Sequence, residues 1–299
     1  MSGPAVRGVP VKLDVAAYLA ELATQGELFF KPNAGNAGDS LIACATFQLF
    51  DEANISYRLF DEDAFDPAGK ILIYGGGGNL VAEHKAARQF VERYHHAVKK
   101  LVILPHTVSG NEGLLGRLGS NVDIITREAI SFEYVERQAP YANVLLADDL
   151  AFKLNLKLIL AAKCTLPYRQ VPLKRVVRRD TALWQAALRR SLRKTRVLNC
   201  FRTDKERTNI RRPVGNVDLS KLLKYGVDTP EEAFRTTQVV FRFVNQYDEI
   251  RTNRLHVAIA GALLGKVVKF YSNSYFKNKA VYDFSMKDHF PNVQWMGAD

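Results

Sequence analysis

The sequence lacks any run approaching the ~18 consecutive apolar residues that a membrane span needs, so no segment is expected to cross a bilayer. Cysteine is scarce. Cys44, Cys164 and Cys200 are odd in number, scattered and free of CxxC spacing, which argues against a disulfide framework or a zinc site and leaves them as small buried hydrophobes. No metal is expected. The fingerprint GxGxxG is also missing: the nearest stretch, NAGNAGD, does not match it and has no acidic ribose partner at the expected place, which disfavours dinucleotide oxidoreduction. The opening residues, MSGPAVRGVPVKLDVAAYLA, have no basic region followed by an unbroken apolar core, so a cytoplasmic protein is expected.

Acidic residues are nearly absent from one stretch. Between residues 163 and 196 eleven cations face Asp180 alone, and this stretch carries almost all of the net charge of +11. The rest of the chain is close to neutral, unlike a nucleic-acid binder whose basic face spreads over the fold. A local anionic surface fits better, and no nucleic-acid partner is expected.

What the chain does have is a regular alternation. Short apolar runs at 26–30, 56–60, 70–74, 100–104, 122–126 and 143–147 predict buried strands, and the amphipathic stretches 40–53, 83–98 and 128–138 predict helices between them. Strands alternating with helices give a parallel sheet covered on both faces. The rhythm breaks around 155–194, at Pro167, Pro172 and the basic run, and returns with strands at 196–201, 248–252 and 266–271 and helices at 230–246 and 254–264. The expectation is an α/β protein of two Rossmann-like domains facing across a cleft: an acceptor-side domain over 1–155, a basic linker over 156–195 and a donor domain over 196–299. Ligands in such sheets lie beyond the carboxyl ends of the strands.

Polar motifs fall at those ends. Lys31-Pro-Asn-Ala-Gly-Asn36-Ala-Gly-Asp39 leads into a helix, where free N–H groups can meet an anion or a hydroxyl. The same residues also suit a glycine-rich turn with Asp39 as a cap, and local chemistry does not separate the two. Gly75 to Gly78 followed by Asn79 point to a ligand or another backbone passing close to Gly77, because ordering four glycines is entropically costly. Asn79 both donates and accepts, which suits a sugar hydroxyl. His106, Glu128 and Asp149 end further strands, the last two being more suited individually to capping.

The C-terminal half carries Phe201-Arg202-Thr-Asp-Lys-Glu206, Thr252-Asn-Arg254-Leu-His256 and Tyr271-Ser-Asn273-Ser-Tyr-Phe-Lys277-Asn278. Arg202, Arg254, His256 and Lys277 can converge on one small polyanion, with guanidinium forks pairing carboxylate or phosphate. Read singly, Arg254 and His256 are ordinary helix-start residues and Lys277 is a solvated cation.

NAGNAGD, GGGGN, LPHT, TREAIS, ADD, FRTDKE, TNRLHVAIAG and YSNSYFKN, in this order, resemble the polysaccharide pyruvyl transferase family over roughly residues 27–285. The resemblance implies a GT-B-type fold, phosphoenolpyruvate as donor co-substrate with no further cofactor, and a pyruvate ketal on a glycan or lipid-linked acceptor. It implies donor binding by Arg254, Arg202, Lys277 and Asn273 near His256. The compact C-terminal half is a departure that bears on the donor pocket. Within that frame His256 is the expected general acid and Asp39 the group that activates an acceptor hydroxyl, with Asn36, Gly77, Asn79 and His106 holding the acceptor. Two rivals share the fold: a glycosyltransferase using a nucleotide-sugar, and a non-catalytic glycan-binding protein. In 181–194, Trp184, Ala187, Leu188 and Leu192 share a helical face flanked by cations. Segment 174–194 is therefore expected either to lie peripherally on the anionic inner face of the plasma membrane or to pack that face on the core.

Overall fold

The computed structural model describes residues 11–163, 179–185, 187–188 and 196–297. Cys164 and much of the basic segment 174–194 lie outside these residues. The chain divides into two compact units, Met1–Lys31 with Phe50–Asp149, and Pro32–Leu49 with Leu150–Asp299. Segment 32–49, expected with the N-terminal domain, thus groups with the C-terminal half.

Among its described residues the first unit holds one parallel seven-stranded sheet. Its strands are β1 (Leu28–Lys31), β2 (Tyr57–Leu59), β3 (Ile71–Tyr74), β4 (Gly77–Val81), β5 (Lys100–Ser109), β6 (Val122–Thr126) and β7 (Asn143–Leu146). The order is β2-β1-β3-β5-β6-β7, with β4 also paired to β5. Helices α1 (Val15–Ala23), α3 (Ala86–Tyr94), α4 (Glu112–Leu115) and α5 (Ala129–Gln138) complete the unit, α1 being capped by Asp14, whose carboxylate accepts from the N–H groups of Ala16 and Ala17. Leu72, Val91, Leu101, Ile103, Val122, Ile124 and Val135 are fully buried in one core cluster, as expected of strands covered by helices.

Strand β4 explains the glycine run. β5 pairs with β3 as far as Ile103 and with β4 from His106 onward, and Pro105 sits at this switch, where the pairing with β6 also shifts register. Proline has no N–H to give a ladder and is tolerated at such irregularities. Gly77 is buried opposite His106, so the backbone that approaches these glycines is a neighbouring strand.

The second unit contains α2 (Ala37–Glu52) up to Leu49 and a parallel four-stranded sheet, β8 (Val197–Cys200), β9 (Glu249–Thr252), β10 (Val267–Phe270) and β11 (Val293–Trp295), ordered β11-β10-β9-β8. α6 (Leu156–Ala161), α7 (Leu219–Leu222), α8 (Pro230–Val244), α9 (Leu255–Leu263) and α10 (Lys277–Val281) surround it. α8 starts as its sequence dictates: Thr229 caps the Glu232 N–H, proline occupies the first turn, and Glu231 and Glu232 face the positive end of the helix dipole. α2 is buried all round along residues 40–50, the mark of a core helix, and three of those residues, Ser40, Thr46 and Gln48, are polar. Its polar ties lie within the second unit: Ser40 Oγ donates to Gly226 O (2.8 Å), and Gln48 Oε1 accepts from Asn155 N (2.9 Å). Among the described residues no helix is long and apolar enough to cross a membrane.

Candidate active site

At the carboxyl ends of β8, β9 and β10 the backbone leaves its ladders, and asparagine side chains, which both donate and accept, tie the freed groups together. Asn253 Oδ1 accepts from Arg202 N (2.8 Å), Asn278 Nδ2 donates to the carbonyls of Asn253 (2.9 Å) and Tyr271 (3.0 Å), and Asn273 Oδ1 accepts from Asn278 N (3.2 Å). Thr252 adds two more ties, donating to Cys200 O (2.6 Å) and accepting from Arg254 N (2.9 Å).

This lattice brings Arg202, Arg254 and Lys277, three of the four residues expected to converge, into one cluster, and all three are largely buried. Three carboxylates answer them. Asp218 grips Arg254 with both oxygens, at 2.9 Å from Nε and 2.7 Å from Nη2, and also accepts from Thr203 N and Oγ1. Asp204 bridges Arg202 Nε (2.9 Å) and Arg254 Nη1 (2.7 Å). Glu206 Oε2 meets Arg202 Nη1 (2.6 Å) and Lys277 Nζ (2.7 Å), with Asn273 Nδ2 at 3.5 Å. Burial by itself would raise both acids, but the ion pairs outweigh it: Arg202 and Arg254 hold Asp204 down at about 2, and Lys277 with Arg202 hold Glu206 at about 2. Burial likewise works against the charge on Arg254, and Asp218 overcomes it, raising the guanidinium pKa.

His256 stands in the first turn of α9, half-buried, against the start of α2. A Cβ on Gly38 would lie 2.3 Å from His256 Nδ1, so glycine is required for the imidazole to sit on this turn. The loop before α2 closes as a capping box: Asn36 Oδ1 accepts from Gly38 N (2.8 Å) and Asp39 Oδ2 accepts from Asn36 N (2.6 Å). Gly35 has no room for a side chain, because its Cβ would fall 1.8 Å from Asp39 Oδ2. Asn36, Asp39 and His256 therefore belong to one unit, where Asn36 and Asp39 had been expected on the acceptor side.

The strand ends of the first unit are different. His106 is completely buried, and its Nε2 lies 2.9 Å from Asn79 Oδ1 and 3.4 Å from Asn79 N. Burial above all, with the charge of Arg127, pushes its pKa down to about 3, so the ring is neutral. His106 and the buried Gly77 were expected at the acceptor; His106 is sealed from solvent against the half-buried Asn79, and Gly77 belongs to the β4 ladder. Arg127 donates to Thr107 Oγ1 (2.9 Å) and Asp149 (2.7 Å), and the Arg127 and Asp149 side chains are 1% and 0% exposed. Glu128 caps α5 through Ser131 N. Burial raises its pKa, opposed by Ser131.

Several residues escape sequence reading. Asp218 lies in none of the motifs read from the sequence; Asp204 and Glu206 lie inside the Phe201–Glu206 motif, which gives them no role. Asp218 and Arg254 are 36 residues apart and Glu206 and Lys277 71, so no local signal reveals these pairs, whereas Arg202 lies only two and four residues from Asp204 and Glu206.

The protein is thus of the α/β class with two parallel-sheet units of Rossmann-like, GT-B-type fold and a buried cation cluster at the strand ends of one of them. Residues 36–275 match the family model for polysaccharide pyruvyl transferase, and the chain belongs to that family. A Bacillus subtilis (strain 168) protein, provisionally named pyruvyl transferase EpsO, is 25% identical over 298 residues, covering 90% of this chain and 88% of its own. A crystal structure of a functionally uncharacterized protein from Klebsiella pneumoniae subsp. pneumoniae NTUH-K2044 superimposes with a TM-score of 0.76 at 29% identity, covering 95% of this chain and 97% of its own.

Proposed function

We propose that the protein transfers pyruvate from phosphoenolpyruvate to a sugar of a polysaccharide or lipid-linked oligosaccharide precursor, forming a pyruvate ketal and releasing phosphate. The observation that carries this reading is the convergence of Arg202, Arg254 and Lys277, within the same unit as His256, on a cluster rich in directed N–H groups. Two guanidinium forks and an ammonium suit a ligand bearing both a carboxylate and a phosphate.

The chemistry needs a proton on the methylene carbon of the donor, and His256 is the side chain whose ordinary pKa suits that transfer near neutral pH. Protonation leaves an oxocarbenium-like carbon, which the first sugar hydroxyl attacks. The proton of that hydroxyl passes to Asp39, and its return to His256 through solvent resets both groups. Arg202, Arg254 and Lys277 stabilise the departing phosphate, and the second hydroxyl then closes the ketal, its proton leaving with phosphate. Asn36, in the unit of His256, is assigned to an acceptor hydroxyl, and Asn79, its amide oriented by His106, is the first unit's own candidate for a sugar hydroxyl. The protein is read as cytoplasmic and engaged in exopolysaccharide or cell-envelope synthesis. A peripheral contact of 174–194 with anionic lipid suits a lipid-linked acceptor. In the described part of this segment Trp184 is 65% exposed, so at that residue the apolar face is not packed on the core.

The deciding experiment is phosphate release from phosphoenolpyruvate against a panel of lipid-linked and artificial glycosides. Release that depends on the glycoside supports the reading. Glycoside-independent behaviour together with tight nucleoside diphosphate binding would favour a nucleotide-sugar glycosyltransferase instead.

A further inference from the structure

The cation cluster closes electrically on itself: Arg202, Arg254 and Lys277 face Asp204, Glu206 and Asp218. The three carboxylates are not equivalent. Asp218 is buried and makes four hydrogen bonds, two to Arg254 and two to Thr203, one of these to the backbone. It fixes the guanidinium whatever else binds. Asp204 and Glu206 retain more exposure, 28% and 17% of their side chains, and lie in the stretch between β8 and α7, which forms no regular helix or strand.

Their contacts are those a ligand would claim. Glu206 Oε2 alone receives Arg202, Lys277 and Asn273, three of the four side chains assigned to the donor. Asp204 takes the fork of Arg202 and the Nη1 edge of Arg254, the fourth. Two carboxylates, two residues apart, thus occupy two adjacent anion positions. Both stay ionised at neutral pH, because the cations hold them far down in the carboxylate range.

We propose that Asp204 and Glu206 are specificity-determining residues: internal anions that stand on the donor cations and must be displaced as a pair. The inference rests on the donor reading above and deepens it. A ligand with one anionic group frees one of the two positions and leaves the other blocked, so its binding is penalised by the charge that remains. A ligand with carboxylate and phosphate on one carbon replaces both and keeps every cation paired. The pair therefore favours phosphoenolpyruvate over free phosphate and over pyruvate, and it keeps the cations from standing buried and unpaired when no donor is bound.

The test is titration calorimetry of the full chain with inorganic phosphate, pyruvate and phosphoenolpyruvate, for the wild type, Glu206→Gln, Glu206→Asp and Asp204→Asn with Glu206→Gln. Removing one competing charged hydrogen-bond acceptor is expected to tighten phosphate binding by about tenfold. Glu206→Asp keeps the charge but withdraws it by one methylene, and a smaller tightening is expected. In the double variant the preference for phosphoenolpyruvate over phosphate narrows. Thermal unfolding identifies a variant that fails to fold, and Glu206→Asp then carries the measurement. If every folded variant binds phosphoenolpyruvate and phosphate more weakly than the wild type, the carboxylates are permanent supports and this inference is overturned while the donor reading stands. A wild type that binds no phosphoenolpyruvate at all overturns both.

Discussion

In the first unit one guanidinium, Arg127, is paired with one carboxylate, Asp149, at the end of a parallel sheet, and both are sealed from solvent. In the second unit three cations and three carboxylates meet at the same place in the topology, and two of the acids remain partly open. The parts are alike and their accessibility is not. A sealed pair can only hold strands together, because any ligand would have to repay its full desolvation. An open, densely donated cluster can exchange its internal anions for external ones. Strand-end position, which sequence reads well, does not distinguish the two; burial does.

The largest effect that sharpens this comparison is expected at His256. Replacing it with Ala should lower ketal formation by about 10²-fold or more while leaving the urea unfolding midpoint close to that of the wild type. Near-full turnover would remove His256 as the acid and shift attention to another group beside the cluster.

The opposite pattern is expected at Arg127. Arg127→Ala leaves Asp149 buried without its cation, at about 3–5 kcal/mol of lost stability in equilibrium urea unfolding. Arg127→Met combined with Asp149→Leu should recover most of that loss, since an apolar pair can replace a sealed ion pair. The matching double change at Arg254 and Asp218 should not restore donor binding if, as proposed, the guanidinium there serves the donor. A donor affinity that survives it would break the distinction.

A smaller effect tests the seat of His256. A methyl on Gly38 would press on Nδ1, so Gly38→Ala should displace the imidazole and reduce turnover by about ten- to hundredfold, with phosphoenolpyruvate affinity far less affected. Equal losses in both would mean that the turn supports the cation cluster as well.

The mildest expectation concerns pH. The pKa of His106 falls from 6.5 in the unfolded chain to about 3 in the folded one, chiefly through burial. The unfolded state binds the proton first, so the stability contributed by the neutral ring is fully present above pH 6.5 and is lost as pH falls towards 3. His106→Gln should flatten that part of the stability curve, measured by thermal unfolding across the range.

Much of the fold is legible in the amino-acid sequence. The runs read as strands form β1, β2, β3, β5, β6, β7, β8, β9 and β10, most plainly at β3, where all four residues are buried and a strand covered on both faces is apolar along its length. Two strands are not legible. β4 begins in a glycine run that has no side-chain pattern to read, and β11 spans only Val293–Trp295. At the site, Arg202, Arg254 and Lys277 are legible as cations at strand ends, and the structure brings them together. Sequence reading misplaces His106 and Gly77, because a polar group at a strand end looks the same whether it opens on solvent or is covered.

The sequence by itself determined the alternation that makes two parallel sheets, the glycines where the chain must pass close to another group, and the family. Only the tertiary structure decided which carboxylate answers which cation, that the turn before α2 seats His256, and that one strand-end charge cluster is sealed while the other is open. The physical reason is range. Periodicity and turn chemistry act over a few residues and are written locally. Ion pairs and burial depend on distances between segments tens of residues apart, and these exist only once the chain has folded.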